Sequence, residues 1–376
     1  MGKQVKTPRF YVDMVTFLHA TGQTGWDDGS GGAELLYMNP SNPYTKEIDP
    51  SASNEVVAIG NADNNTIKTS FPVNFCALLN HNLGSNTNSF KFYGKHGLTS
   101  STTSVIFSPE DEILNSYHST TFINPTYNGT TIFDFTSDDE YWRSFSIFYD
   151  TDNPINAGTH QIGSFVVGKY WDAPNSPDLS LTMSRRFDGI KKQKTIGGKT
   201  LANIYYDGPT EWTMNNPREE NPYKYPPFEL DLASSIYVEE EGDIETKFNQ
   251  IAKSGLGRKG LRSWKLTFSY ISEDNMWTDY ESSTTSPFDD SGYNAEIDGD
   301  APIDPSQRSN PMLSDDSFNF VWNCTLGGTL PFIFQPDNTN NNPDQFSICT
   351  FRDNTLSVKQ VAFNTYSLSI TIDEVA

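Results

Sequence analysis

The feature that most constrains the fold is a pair of strand-like segments in the first half of the chain. The first, Phe71–Ser85, is an apolar run that leads into a polar Asn-His-Asn-Leu-Gly turn, as a buried strand followed by a loop does. The second, Tyr141–Tyr149, alternates large apolar or aromatic residues with polar ones, which is typical of a strand with one solvated face. Strands of these two kinds bracket a β-sandwich, so the pair predicts one.

The rest of the chain repeats this pattern of short apolar runs separated by Asn, Ser, Thr, Asp, Gly and Pro. Hydrophobic residues make up 35% of the sequence, but aromatic residues reach 13%, so large side chains are available to fill cores. Stripes with helical period are nearly absent, and the best helical candidate, Glu245–Ser254, is short. The sequence therefore predicts an all-β protein.

A length of 376 residues favours two domains. The predicted strands of the first are Val56–Ile59, Ser70–Leu79, Ser89–Tyr93, Thr131–Phe135, Tyr141–Tyr149 and Ile162–Val167. Those of the second are Leu181–Phe187, Leu201–Tyr206, Ser263–Tyr270, Phe318–Trp322, Leu330–Phe334, Phe346–Phe351 and Asn364–Ile372. Their spacing is typical of two β-sandwiches, the first of them a jelly roll.

The domain boundaries follow from the positions of these strands and of the loops between them. Residues 1–54 are predicted to be an N-terminal arm that opens with the apolar run Phe10–Leu18, which is either an arm packed on a neighbour or a first strand followed by a long loop. Residues 55–170 form the jelly roll and residues 171–376 the second sandwich. The second sandwich carries an acidic insertion at about 273–316, whose low apolar content predicts an exposed loop.

Composition also limits the function. A net charge of −22 argues against a general nucleic-acid binder, because contacts to phosphate need clustered Lys and Arg. No run approaches transmembrane length, and the first residues lack a hydrophobic segment, so we expect synthesis and assembly in a cytoplasm. The three cysteines include no Cys-x-x-Cys pair, so neither a disulfide framework nor a structural zinc site is indicated, and Cys76 and Cys349 are predicted to be buried thiols.

One concentration of basic residues stands out against this acidic background. Only Asp188 opposes it locally, and it is predicted to lie on a hairpin whose two strands flank Ile190–Gly198. The candidate subunit contacts on it are Arg185, Arg186, Lys191, Lys192, Lys194 and Lys199. We expect this hairpin to contact the acidic surface of an identical or a different subunit, with a solvated hairpin as the alternative. A second basic run, Lys253–Lys265, has the same two interpretations.

No catalytic signature emerges. The five histidines lack the spacing of a metalloprotease, no Gly-x-Ser-x-Gly elbow is present, and Gly197–Gly198 predicts a hairpin turn better than a phosphate loop. The acidic stretch Glu296–Asp304 is either a calcium site or a solvated loop. A carboxylate pair for glycan hydrolysis has no sequence signal of its own. We therefore predict a protein that is not an enzyme and that has no catalytic residues, cofactor or metal.

The segment Phe75–Gly84 resembles the start of jelly-roll modules of the galactose-binding-like, or discoidin, type in structural proteins of tailed phages, where an apolar strand enters the same kind of turn. Tyr141–Arg143 and Ile162–Gly168 are similar to later strands of that module. The C-terminal segments Gly328–Asp337 and Phe363–Glu374 resemble the end of phage tail and baseplate proteins.

This resemblance implies a virion structural protein of the tail, baseplate or connector that acts through subunit assembly. It also implies identical subunits and other virion proteins as partners, a location in the virion after synthesis in the host cytoplasm, and neither direct nucleic-acid contact nor membrane insertion. The alternative is a carbohydrate-binding or receptor-binding module, with a host surface glycan as its partner. His81 is interpreted as a turn residue, and no ligand residues are carried over.

Overall fold

The computed structural model describes residues 5–22, 26–27, 35–36, 38, 40, 43–48, 55–61, 71, 73–83, 90–96, 104–107, 109–118, 122–125, 129–135, 142–149, 158–186, 190–204, 261–277, 317–342 and 345–375. Within these ranges the chain is mostly β, with large antiparallel sheets, as the sequence predicts for an all-β protein. The acidic residues 278–316, which include the calcium candidate, and the helical candidate Glu245–Ser254 lie outside them.

The strands are short and follow one another closely along the chain. They are β1 (Arg9–Asp13), β2 (Trp26–Asp27), β3 (Tyr44–Ile48), β4 (Glu55–Asn61), β5 (Phe75–His81), β6 (Phe90–His96), β7 (Ser104–Ile106), β8 (Pro109–Leu114), β9 (Tyr117–His118), β10 (Ile123–Asn124), β11 (Gly129–Phe135), β12 (Trp142–Tyr149), β13 (Gly158–Ile162), β14 (Ser164–Asp172), β15 (Thr182–Arg186), β16 (Ile190–Lys194), β17 (Thr200–Ile204), β18 (Leu261–Ser272), β19 (Phe332–Gln335), β20 (Ser347–Phe351), β21 (Val358–Ala362) and β22 (Thr365–Glu374). The helices are α1 (Met14–Ala20), α2 (Glu273–Met276) and α3 (Phe318–Cys324).

One 11-stranded sheet runs through both halves of the chain. Its order is β15-β18-β22-β20-β19-β1-β14-β5-β11-β8, with β21 also paired to β22. The first strand, β1, lies in the middle, between β14 from the first half and β19 from the second, so that Tyr11 stands opposite both Tyr170 and Ile333. Of the two interpretations of Phe10–Leu18, the structure shows a first strand, followed by α1. The boundaries 1–54, 55–170 and 171–376 stay predictions.

The central strands of this sheet are buried on both faces. Every residue of β11 and of β19 is buried, and in β5 only Asn80 is half-buried. Strands buried on both sides tend to be continuous apolar runs, which explains why β5 and β19 are recognisable in the sequence.

A second sheet covers part of one face. Its order is β2-β4-β12-β6-β10-β9, with β7 paired to β6. Phe92 of this sheet stacks on Phe145 at 5.7 Å between ring centroids and meets Phe133 of the large sheet edge-on at 5.6 Å. The two sheets therefore share one aromatic core, and ring pairs of this kind add stabilisation beyond the area that they bury.

Helix α3 corrects one prediction, because Phe318–Trp322 is helical and not a strand. The run Phe-Asn-Phe alternates as a strand does, but the Ser317 hydroxyl accepts from the Phe320 amide and caps a helix. The helix ends before three successive residues with positive φ, at 326–328. Its buried residues include Phe318, Val321 and Cys324, whose spacing of three places them on one helical face.

Two further pairs of strands stand apart from these sheets. Strand β13 pairs with β3, and β16 pairs with β17. Within the described residues, β16 and β17 form a two-stranded ribbon that pairs with no other strand. This ribbon, residues 190–204, carries four of the predicted subunit contacts.

Candidate interaction surface

The structure divides the predicted basic hairpin between two elements. Arg185 and Arg186 lie on β15, which pairs with β18, whereas Lys191, Lys192 and Lys194 lie on β16. The predicted pairing of strands on either side of Ile190–Gly198 is therefore wrong for the first strand. The hairpin begins at Ile190, because β15 pairs instead with the long strand β18. Strand β18 lies about 75 residues further along the chain, so the local sequence around β15 gives no signal of this pairing.

The turn of the ribbon is well defined. Thr195 and Lys199 close it with a backbone hydrogen bond from the Thr195 amide to the Lys199 carbonyl at 2.8 Å, and the Thr195 hydroxyl accepts from the Lys199 amide at 3.1 Å. Gly198 has a φ of +81°, a left-handed conformation that favours glycine in a three-residue loop. The interpretation of Gly197–Gly198 as a hairpin turn is confirmed.

The ribbon presents its charges to solvent. Lys192 and Lys194 are exposed and stand two residues apart, so they project from the same face, and Lys199 is exposed at the turn. Ile196 at the tip is fully exposed, and Leu201 is 57% exposed. Apolar side chains flanked by lysines give this surface both charge and area that a partner can bury.

Strand β15 is an edge of the large sheet as far as the described residues go. Four of its five residues are exposed, and among the described strands its only neighbour is β18. Such an edge offers unpaired N–H and C=O groups to another strand. Arg185 stands opposite Arg262 and Arg186 opposite Leu261, so both arginines lie at the end of the sheet where β18 begins.

Two more arginines lie at this end, each held by a carboxylate. The guanidinium of Arg262 donates to both carboxylate oxygens of Glu374, at 3.0 and 2.8 Å, and also to the Ser347 hydroxyl and, at 3.0 Å, to the Phe346 carbonyl. It lies 5.2 Å from the ring centre of Trp264. The side chains of Arg262 and Glu374 are each 11% exposed. This pair fixes the end of the sheet.

The second pair is more exposed. Arg352 donates to both oxygens of Asp373, at 2.8 and 2.7 Å, and to the Ser263 hydroxyl at 2.9 Å. Its hydrogen bond to Asp373, with a weaker contribution from Arg186, holds the pKa of Asp373 below its usual range. We call this end of the sheet, with Arg185, Arg186, Arg262 and Arg352, the basic end. Sequence reasoning missed its last member, because Arg352 is isolated in the chain and joins the others only through the pairing of β18, β20 and β22.

The buried side chain of His81 has structural partners on both ring nitrogens. The imidazole of His81 accepts from the Leu83 amide at Nδ1 (3.2 Å), so its proton is on Nε2, 2.8 Å from the Thr131 hydroxyl. Burial lowers the pKa of His81 to about 3. The imidazole is therefore neutral, and its hydrogen bond to the Leu83 amide stabilises the turn that follows β5. This agrees with the interpretation of His81 as a turn residue.

The three cysteines are free and buried, as the sequence predicts for Cys76 and Cys349. Burial raises the pKa of both thiols, so neither is poised as a nucleophile.

Within the described residues no group of three or more His, Cys, Asp or Glu side chains is placed to hold a metal ion. The same part of the chain contains no helix long and apolar enough to span a membrane. The prediction that the protein is not an enzyme stays a prediction.

Comparisons with known proteins do not place the chain in a family. No protein-family model, no curated protein and no solved structure matches it. What can be said of its function therefore depends on its own residues, among which the exposed lysines of the ribbon and the arginines of β15 stand out.

Proposed function

We propose that the chain is a structural protein of a tailed-phage virion, a component of the tail, baseplate or connector that works through subunit contacts. The observation that carries this proposal is the exposed ribbon with Lys192, Lys194 and Lys199, which follows Arg185 and Arg186 of the basic end on a chain of net charge −22. The other two arginines of that end are paired with carboxylates. A cationic surface on an acidic protein matches the acidic surface of a second copy or of a related subunit.

The exposed edge of β15 supports the same conclusion. A strand can add to such an edge through backbone hydrogen bonds, which give affinity without a dedicated pocket. Arg185 and Arg186 on this edge favour an acidic partner strand and oppose pairing with a basic one. Charge on an edge strand thus selects the partner while it limits aggregation.

The division of the chain into domains and contact elements is also part of the proposal. It comprises a galactose-binding-like jelly roll over residues 55–170 and a second sandwich over 171–376, with the N-terminal region, the basic end and the ribbon as contact elements. The facing sheets that share Phe92 and Phe133 support the sandwich of the first half. Identical subunits and other virion proteins are the partners, the virion is the location, and nucleic acid is not contacted directly.

The test is co-expression of the chain with the products of its neighbouring genes, followed by light scattering and electron microscopy of what co-purifies. We expect a closed ring or a larger defined complex that contains several copies of the chain. A chain that remains monomeric at high concentration and retains none of these products would contradict the proposal.

The alternative is a carbohydrate-binding or receptor-binding module of a virion. Two exposed aromatic side chains favour it, Tyr270 at 75% and Phe363 at 88% exposure, since aromatic rings stack on sugars. Ser272 of β18 stands opposite Thr365 of β22, which places both rings near the same end of β18. A glycan array with wild type and the Phe363→Ala variant tests it, and binding that the variant loses would support it.

A further inference from the structure

The long strand β18 separates two regions of opposite charge. It has 12 residues, which corresponds to a length of about 36 Å. The basic end lies where the strand begins, at Leu261. The other end, at Ser272, leads into α2 and then into the acidic part of the chain.

The ribbon belongs to the basic end by chain connection. Strand β15 runs antiparallel to β18, from Thr182 opposite Lys265 to Arg186 opposite Leu261, so the chain leaves β15 at the basic end. Four residue steps separate Arg186 from Ile190, which places the start of the ribbon within about 14 Å of Arg186. The exposed lysines of the ribbon therefore extend the positive charge of that end.

The opposite end is acidic in its described residues and continues so in sequence. Glu273 and Asp274 form the first turn of α2, where Asp274 is exposed, and Lys359 is the basic residue nearest to them on β21. Residues 278–316, which follow directly, contain ten Asp or Glu residues and one Arg. The chain leaves from α2 and returns at α3, and these two helices lie in contact, so both ends of this acidic segment emerge from the same region.

We infer that copies of this chain associate head to tail, with the basic end and ribbon of one copy bound to the acidic segment 273–316 of the next. Charge complementarity identifies the occupant, because the basic surface has the opposite sign to the chain as a whole and this segment is a dense run of carboxylates. A contact between two different surfaces of the same chain repeats, so it closes into a ring or continues as a filament. The inference rests on the proposed assembly function and specifies its contact.

The experiment is a charge swap on the intact chain, measured by sedimentation velocity at low and high salt. One variant reverses the ribbon (Lys192→Glu, Lys194→Glu and Lys199→Glu), and the other reverses the start of the acidic segment (Asp274→Lys, Asp279→Lys and Glu281→Lys). We expect wild type to associate at low salt and each variant alone to associate at least about tenfold more weakly. An equimolar mixture of the two variants should associate again, because each supplies the end that the other lacks.

Lys359→Glu is the matched control for the single change Lys194→Glu, since both lysines are exposed and both changes have the same sign. Because Lys359 lies on the side of the acidic end, its change adds negative charge there and should leave association unchanged or strengthen it. Only the change at the ribbon should weaken association.

If wild type assembles while the ribbon variant and the mixture behave like wild type, the head-to-tail contact is wrong and the structural function stands. If the ribbon variant alters the free energy of unfolding but not the mass, the acidic segment binds its own chain and the inference is overturned. A wild type that is monomeric alone but joins a complex with neighbouring gene products overturns only the inference, whereas one that joins none contradicts both.

Discussion

At the scale of single residues, the ion pair of Arg262 and Glu374 contrasts with the buried carboxylate of Asp13. Arg262 and Glu374 neutralise each other. Asp13 at the start of α1 is 4% exposed, and the described structure gives it hydrogen bonds but no ion pair. Its carboxylate accepts from the Val15 and Thr16 amides and from the Thr16 hydroxyl at 2.5 Å. Burial raises the pKa of Asp13 to about 6, although these hydrogen bonds act in the opposite direction.

The change Asp13→Asn is expected to stabilise the protein at neutral pH. Asparagine caps a helix as well as aspartate does and needs no buried charge. Because the pKa of Asp13 is higher in the folded than in the unfolded chain, where it is about 3.9, the folded state binds more protons between about pH 4 and about pH 6. The free energy of unfolding of wild type, relative to the variant, therefore falls as pH rises through this window. At neutral pH we expect a difference of about 1–3 kcal/mol from chemical denaturation.

The control for this prediction is Asp13→Ala, which removes both the charge and the cap. It leaves two amides without their partner, so it should be less stable than Asp13→Asn by about 1 kcal/mol at every pH. A difference between wild type and Asp13→Asn that stays constant across the window would show that the carboxylate does not titrate there.

At the scale of elements, the fit of β1 into the large sheet depends on a glycine in its neighbour. Gly168 of β14 stands opposite Asp13, and a Cβ added there would lie 1.9 Å from the Val12 carbonyl oxygen. That atom belongs to the backbone of β1, so no side-chain rotation relieves the clash. The close approach of the two strands at this point, where β1 gives way to α1, thus requires glycine.

Gly168→Ala is therefore expected to lower the free energy of unfolding by about 2–3 kcal/mol, because the strands must separate locally. Gly197→Ala, in the turn of the ribbon, is the matched control, since a Cβ there meets nothing within 4 Å. It should change stability by less than about 0.5 kcal/mol. Thermal unfolding of both variants beside wild type measures this, and equal effects would refute the tight pairing of β1 with β14.

The elements also show what a sequence reveals and what it does not. Strands buried on both faces, such as β5 and β19, are visible as apolar runs, and the turn at Gly198 is visible from its glycine pair. The helix α3 was hidden because its aromatic spacing imitates a strand, and only the Ser317 cap signals it. The basic end was visible in part, as a local run of charges. Its assembly from β15, β18, β20 and β22 depends on pairings between distant strands, which no local pattern encodes.

At the scale of the whole molecule, the large sheet crosses the boundary predicted near residue 171. Phe10 of β1 shows this in one side chain, since its ring lies 5.6 Å from that of Trp171, 5.2 Å from that of Phe334 and 6.1 Å from that of Phe318. Trp171 lies on β14, which begins within the predicted jelly roll, whereas Phe318 and Phe334 belong to the predicted second sandwich. A core shared in this way couples the stability of the two halves.

Fragments divided at the predicted boundaries test this coupling. We expect residues 55–170 and 171–376, expressed separately, to lack a cooperative thermal transition, because each loses β1 and exposes the strand that β1 covers. Circular dichroism and limited proteolysis measure the outcome, with the full chain as the control. A fragment 55–170 that unfolds cooperatively by itself would establish an autonomous jelly roll and contradict the coupling.

The central position of β1 has a consequence for how the protein is made. Tyr11 donates its hydroxyl to the Gln335 side chain, and the two residues are 324 positions apart. Among the described strands β1 is synthesised first, and its neighbour β19 is synthesised only after β2–β18. Strand β1 therefore stays unpaired on one side until β19 has emerged, and closing so long a loop makes folding slow. The step that completes the sheet is also the step that joins the beginning of the chain to its end.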